Sequence, residues 1–451
     1  MKYYRFSLYL LLFILVSCKN SFLDIKPDRE LLVPQTLNDL QAMVDNSSIF
    51  NLSVPIQGII AADEYYLDFD RWNTLSVPAQ KNGYIWAKDN FYEGRDSDGW
   101  NLPYRAIFYS NLILEEIEKV KRNDGNRNQW SSVKGSALFF RGWSYYQLAQ
   151  VFCDTYVEDT AEERLGLPIR LIPDINARIA RASLAETYER VVSDLTQAVR
   201  LLPTAVTVPT RPSKAAAYAL LSKVFLQIGG FETALSYADS CLALKNTLLD
   251  YNLVEEEDYP FARFNDEVIF HSSNTGIILS NTRLNPDTLL YQSYTDADLR
   301  KSLFFKQTGG RLTYRGSYDG SSRMFCGIAT DEIYLIRAEC FARSGMVREA
   351  MEDLNVVLVS RFKEKGFVPI SASDPTEALD FILSERKKQL VFRGTRWHDL
   401  KRLNTDPRYA VTLIRKLSDE TYELTPGDFR YALPIPDLVI ELAEIQQNPG
   451  Y

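Results

Sequence analysis

Residues 215–244 read AAAYALLSKVFLQIGGFETALSYADSCLAL, and residues 331–360 read DEIYLIRAECFARSGMVREAMEDLNVVLVS. Placed in register, Tyr218, Leu221, Ser222, Phe225, Gly229, Phe231, Ala234, Ala238 and Cys241 fall on Tyr334, Arg337, Ala338, Phe341, Gly345, Val347, Ala350, Leu354 and Val357. Within each block the apolar and small residues recur every three or four positions, the period of a helix with one buried face. The glycine interrupts that period midway, where a chain reversing between two helices needs a backbone that other residues resist. Alanine or serine occupies offsets at which two such helices would touch. Each block therefore predicts a pair of antiparallel helices. Arg337 departs from the pattern: a cation stands where the first block has Leu221.

The repeated hairpin is similar to the tetratricopeptide unit, whose helix pairs stack because no single pair buries its apolar face alone. The same period recurs at Trp100–Val120, Ser131–Phe152, Ser183–Leu202 and Pro375–Arg393. A short helix opened by Thr36 is predicted over Leu37–Val44. Ser131–Phe152 and Ser183–Leu202 read as a third, degenerate unit with a long insertion between its helices. Two other stretches lack a helical period. Residues 45–99 read as irregular, broken by Asn, Asp, Gly and Pro and rich in aromatics. Residues 245–327 are dominated by Gly, Ser, Asn, Asp and Tyr, with a short strand at Val268–His271. Loops of that length inside a compact protein are usually functional. The predicted fold is mainly α: a tetratricopeptide-like helical-hairpin scaffold at about 100–244 and 328–403. It carries a loop-rich ligand-binding face from about 45–99 and 245–327, with few short strands.

Composition agrees with a sizeable core: 46% of the 451 residues are apolar and 24% charged, ordinary values for a folded chain. The net charge of −8 argues against a nucleic-acid partner, since little would neutralise phosphates. The two histidines, His271 and His398, lie far apart and no CxxC pair occurs, so neither a metal nor a redox cofactor is expected. Cys153, Cys241, Cys326 and Cys340 read as structural and unpaired. At the start, Lys2 and Arg5 precede an eleven-residue apolar run, Phe6–Val16, too short to span a ~30 Å hydrocarbon layer. It ends in Leu15-Val16-Ser17-Cys18, which resembles a bacterial lipobox. Residues 1–17 are therefore expected to be a signal peptide, with Cys18 lipidated, 18–35 a tether and 36–451 one domain. Removal of Lys2 and Arg5 takes the charge from −8 to −10.

Taken in order, these segments resemble the SusD/RagB family of outer-membrane nutrient-binding lipoproteins. The resemblance rests on Phe22–Pro27 (FLDIKP), Asp63-Glu64 in AADEYY, Tyr104–Asn111 (YRAIFYSN), Arg141–Phe152 (RGWSYYQLAQVF) and Gly166-Leu167-Pro168. It continues through the two repeats, Glu385–Leu403 (ERKKQLVFRGTRWHDLKRL) and the closing NPGY. It implies a SusD-like, non-catalytic protein tethered by lipid to the outer membrane and exposed at the cell surface. The ligand would be an oligosaccharide, or a peptide as in some members, passed to a SusC-like TonB-dependent transporter. A lipid-anchored glycoside hydrolase and a purely structural adaptor are the other readings.

Sugar rings offer apolar C–H faces for aromatic side chains to stack on, and hydroxyls for Asn, Asp, Arg or Gln to bond. Asp68-Phe69-Asp70-Arg71-Trp72-Asn73 fits best, as a polar loop around one tryptophan. Trp72 leads, with Asp68, Arg71 and Asn73 as hydrogen-bonding neighbours. Tyr291, Tyr294, Tyr314 and Tyr318 form a second group, with Arg315 and Asn285 as polar candidates. Trp86, Trp100, Trp143 and Trp397 stand in scaffold segments and read as core. Arg141, Glu385 and Arg386 read as charge pairs within or between helices. The basic run Arg393–Arg402 packs the scaffold or, alternatively, faces the transporter. Catalytic motifs are thin. Ser131-Lys134 and Ser384-Lys387 match SxxK without its companions, and Asp96-Ser97-Asp98-Gly99 is only a fragment of a calcium loop.

Overall fold

A computed structural model describes residue 34 and residues 36–451 apart from 275, 281 and 282. The leader, Cys18 and the tether through residue 33, with FLDIKP, lie outside the described residues. The main helices are α1 (Leu37–Val44), α2 (Asp98–Ile117), α3 (Arg127–Phe152), α4 (Leu184–Leu201) and α5 (Lys214–Gln227). They continue as α6 (Phe231–Leu242), α7 (Thr330–Arg343), α8 (Val347–Val359), α9 (Pro375–Gln389) and α10 (Arg396–Leu403). From α2 to α8 each helix packs on the next, and α9 closes the stack against α7 and α8. The fold is the mainly α array of hairpins that the repeats predict, including the third pair, α3 with α4. Among the described residues no helix is long and apolar enough to cross a membrane.

Local chemistry sets the helix starts. The Thr36 hydroxyl accepts from the Asp39 N–H at 3.2 Å, and the Asp39 carboxylate accepts from the Thr36 N–H at 2.9 Å. Ser183 and Glu186 make the same reciprocal box at the head of α4. Both repeat glycines adopt the same left-handed turn, Gly229 at φ +80° and Gly345 at +78°. Arg337 departs from the repeat because it ties three helices. From α7 it donates to Asp353 on α8 through Nε and Nη2, each at 2.7 Å, and to Asp239 on α6 at 2.8 Å. A forked ion pair thus replaces the apolar contact made elsewhere at that offset.

Helix α3 is the axis. From Trp130 to Phe152 it is buried nearly all round, and Gly142 meets α4 so closely that a Cβ there would lie 3.2 Å from Leu195. Its last carbonyls are capped from far along the chain. Buried Lys401 donates to the Gln150 and Cys153 carbonyls at 3.0 and 2.6 Å. Asn448, in the closing NPGY, donates to those of Phe152 and Leu433 at 2.9 and 2.7 Å.

The family-like segments meet through buried charge. Asp63 accepts from Arg396 at 2.7 and 3.0 Å and from Lys387 at 3.0 Å. Asp399 accepts from Arg386 and Arg402, and Arg402 also pairs with Glu339. Arg393 pairs with Asp331. The run Arg393–Arg402 is therefore an interior network, and the alternative that it faces a partner is corrected: its guanidiniums are matched by carboxylates inside the fold. Arg141 pairs with Asp194 and Glu385 with Arg300. Trp86, Trp100, Trp143 and Trp397 are buried, as are four unpaired cysteines.

Beside Asp63, Glu64 is buried with one oxygen accepting from the Phe392 N–H at 2.8 Å and the other without a partner among the described residues. Burial pushes its carboxyl up to about 8. A folded-state value above the unfolded one means stability is fully present below the unfolded value and is lost as pH rises through 8. Glu64→Gln keeps the acceptor for Phe392 and removes the proton requirement. Its advantage over the wild type should grow by up to roughly 1.4 kcal/mol per pH unit from about pH 4.5, then level off above 8. Urea unfolding across that range measures it, and a difference that ignores pH would contradict the assignment.

Residues 45–99 are less irregular than the composition predicts. They hold short helices at Ser47–Phe50, Gln57–Ala61, Phe69–Asn73 and Pro78–Tyr84. Helices of one or two turns are too brief to show a period and owe their stability to packing. Residues 245–327 contain short antiparallel pairings, including a hairpin of Phe305–Thr308 with Arg311–Tyr314. Strand Tyr65–Tyr66 pairs with Asn285–Pro286, stitching one loop region to the other.

Candidate functional site

That pairing builds a surface ledge. On one side lies the helix Phe69–Asn73, where a polar loop was predicted; on the other, the segment around Arg283 and Asn285. Trp72 is half-buried, while the other five tryptophans are buried. Its Nε1 donates to the Lys81 carbonyl at 2.9 Å, and the Lys81 ammonium lies 4.8 Å from the ring centroid. Phe69, 42% exposed, tilts against it at a centroid distance of 6.0 Å. Tyr66, also exposed, stands opposite Asn285 in the strand pair. The indole is fixed in orientation while part of it reaches solvent.

The polar candidates of this segment converge on the same place. Asp68 pairs with Arg71 at 2.9 Å. Arg71 Nη1 donates to Asn285 Oδ1 at 3.1 Å, and Arg311 Nη2 reaches the same oxygen at 3.3 Å. Asn73 is exposed and accepts from Lys81 at 3.2 and 3.3 Å through its two oxygens. Asp68, Arg71, Trp72, Asn73 and Asn285, from two distant stretches of sequence, thus share one surface.

The second aromatic group does not join it. Tyr294 is buried and its hydroxyl donates to the Lys388 carbonyl at 2.8 Å. Tyr318 is buried against Tyr251 and Glu267, 2.6 and 2.7 Å from their oxygens. Tyr314 sits in the core, 4.7 Å from the Phe392 ring centroid. Arg315 is buried and donates to the Ser302 and Glu257 carbonyls. These four are corrected from ligand candidates to interior residues: packing in the aromatic core holds the tyrosines inward, and the polar atoms of all four are satisfied inside the fold. Tyr291 alone of the group is half-buried, edge-on to Phe305.

A cavity of about 430 Å³ opens on the other side of the helix Pro78–Tyr84, whose Ala79 and Gln80 line it while Lys81 serves the ledge. Gln57, Asp96, Asp98, Ser273, Asn274 and Arg323 supply its polar lining. Gln57 is buried, with its Nε2 bonded to Ser97 and its Oε1 without a partner among the described residues; Ser273 Oγ is likewise unpartnered. Gly99 makes room for Gln57, since a Cβ there would lie 2.0 Å from Oε1. Sequence reasoning missed Gln57, Ser273 and Arg323. The Asp-Ser-Asp-Gly run marks the rim, but as a wall of this cavity: among the described residues no group of three His, Cys, Asp or Glu could hold a metal.

A stack of helical hairpins whose long insertions meet on a ledge and around a cavity defines a helical-repeat protein with a loop-built face. A family model described as "Starch-binding associating with outer membrane" matches residues 21–226, and the SusD family model matches residues 317–451. The chain belongs to the SusD/RagB family. It is 24% identical to a SusD-like protein of Formosa agariphila over the full length of both chains. Among solved structures, a SusD superfamily protein of Bacteroides thetaiotaomicron aligns with TM-score 0.74 at 24% identity, covering 92% of this chain and all of that one. A SusD-like carbohydrate-binding protein of Bacteroides vulgatus gives 0.69 at 19%, covering 91% and 97%. A laminarin-binding SusD-like protein gives 0.63 at 17%, covering 92% and 99%.

Proposed function

We propose that this protein is a non-catalytic glycan-binding protein, held at the outer membrane through lipid on Cys18, that passes oligosaccharide to a SusC-like TonB-dependent transporter. The ledge around Trp72 carries the reading: one solvent-reaching tryptophan, held in orientation, with Phe69 beside it, Arg71 and Asn73 flanking it on the same short helix, and Asn285 bonded to Arg71. That combination suits a pyranose ring, whose C–H face stacks while its hydroxyls bond. The carbohydrate-binding descriptions of two structural neighbours support the same class of ligand. Calorimetric titration of the purified protein with a panel of oligosaccharides tests the proposal. Binding without turnover is the expected result. Capture of peptides but no glycan would replace it with peptide uptake, and turnover of the bound glycan would make the protein a hydrolase.

A further inference from the structure

The ledge gathers positive charge on an acidic protein. Arg71, Arg283, Arg311 and Lys81 meet there, against Asp68 and Asp70 on the short helix, while the whole chain carries a net −8. The arginines meet around an amide and backbone carbonyls, with Asp68 paired to Arg71 at 2.9 Å. Arg71 and Arg311 share the single oxygen Asn285 Oδ1 at 3.1 and 3.3 Å. Arg71 and Arg283 each donate to the other's backbone carbonyl at 3.3 Å. Like charges brought together around an amide repel one another, and partial burial strengthens that repulsion.

Two of these guanidiniums also have donors to spare. Every hydrogen bond and ion pair of Arg71 among the described residues, to Asp68, Asn285 and the Arg283 carbonyl, uses Nη1. Arg283 likewise uses only Nη1, for the Arg71 carbonyl and for Thr74 at 3.0 Å, and no carboxylate pairs with it among the described residues. Among the described residues, no partner takes the Nε and Nη2 donors of either. That edge is the one by which arginine grips two oxygens of a planar or tetrahedral anion side by side.

We propose that Arg71 and Arg283 bind an anionic substituent, a carboxylate or a sulfate, of a glycan stacked on Trp72, so that the ledge selects acidic oligosaccharides. This rests on the glycan reading of the same site and narrows it. An anion entering between the arginines relieves their repulsion and fills the unused donors. A neutral sugar does neither.

The test compares three tetrasaccharides against the purified protein: one of galacturonic acid, one of sulfated carrageenan and one of neutral laminarin. At least one anionic probe should bind about tenfold more tightly than the neutral one, and raising salt from about 50 to about 500 mM should erode that advantage. Arg283→Gln should cost the preferred anionic probe roughly fivefold or more, and the neutral probe clearly less. Arg283→Lys keeps the charge but loses the fork, so intermediate affinity is expected, with circular dichroism confirming that both variants fold. The two anionic probes separate carboxylate from sulfate. Equal binding of all three probes, insensitive to salt and to Arg283→Gln, would overturn the charge selectivity and leave the glycan reading standing. Binding of no glycan in a broad panel, or of acidic peptides alone, would bring down the glycan reading and this inference with it.

Discussion

Trp72→Ala is expected to weaken oligosaccharide binding by ten- to a hundredfold while lowering the thermal unfolding midpoint by only a few degrees. Losing the stacking face of one aromatic removes about 1.5–3 kcal/mol of contact, and each ~1.4 kcal/mol is a factor of ten in affinity. The side chain sits on a five-residue helix near the surface, held by one bond to the Lys81 carbonyl and the cation over its ring, and packs against the edge of the core with only part of its area. Truncation should therefore leave the scaffold intact. Trp72→Phe keeps a smaller ring and should fall between the two. Calorimetry with the tightest ligand found, alongside thermal melts, separates binding from folding. Unchanged affinity in Trp72→Ala would move the site elsewhere, the cavity lined by Gln57 and Ser273 being next.

The largest effect on stability should come from Asp399→Ala. The carboxylate is buried, accepting from Arg386 Nε at 2.9 Å and from Arg402 Nε and Nη2 at 2.9 and 2.8 Å. Burial alone would raise its carboxyl, but the two guanidiniums outweigh that and hold it well below the usual range. Its contribution is thus present above about pH 4 and is lost only in stronger acid. Removing it strands Arg386, whose next carboxylate, Glu332, is 3.6 Å away and already pairs with Lys223. Breaking a buried pair from one side typically costs 3–5 kcal/mol, since the surviving charge stays desolvated. Urea unfolding at neutral pH should register a loss of about that size. A loss below about 1 kcal/mol would show that water reaches the guanidiniums and that the network is not dry.

Much of this architecture is legible in the residues. Both hairpins, their glycine turns, the Thr36 start of α1 and the Ser183 start of α4 follow from period and capping alone, because those signals are local. The ledge was half legible. Trp72 and its neighbours could be picked out as a cluster in sequence, but their meeting with Arg283 and Arg311 depends on a two-residue strand pair spanning more than two hundred positions. No local pattern encodes that. The tyrosine-rich stretch misled for a related reason. Composition gives Tyr314 and Tyr318 equal claims to water or core, and the choice rests on acceptors such as Glu267, supplied by another part of the chain. The run Arg393–Arg402 reads as a surface patch only while the acids that neutralise it, Asp63, Asp331 and Glu339, are out of sight.

The far end of α3 bears on how the molecule acquires its shape. The residues that stop this helix, Lys401 and Asn448, are made some 250 and 300 positions after the carbonyls they satisfy. A ribosome releasing the chain from its amino end delivers the axial rod long before the groups that seal its tip. That tip is closed only when Lys401 and Asn448 have folded back onto it.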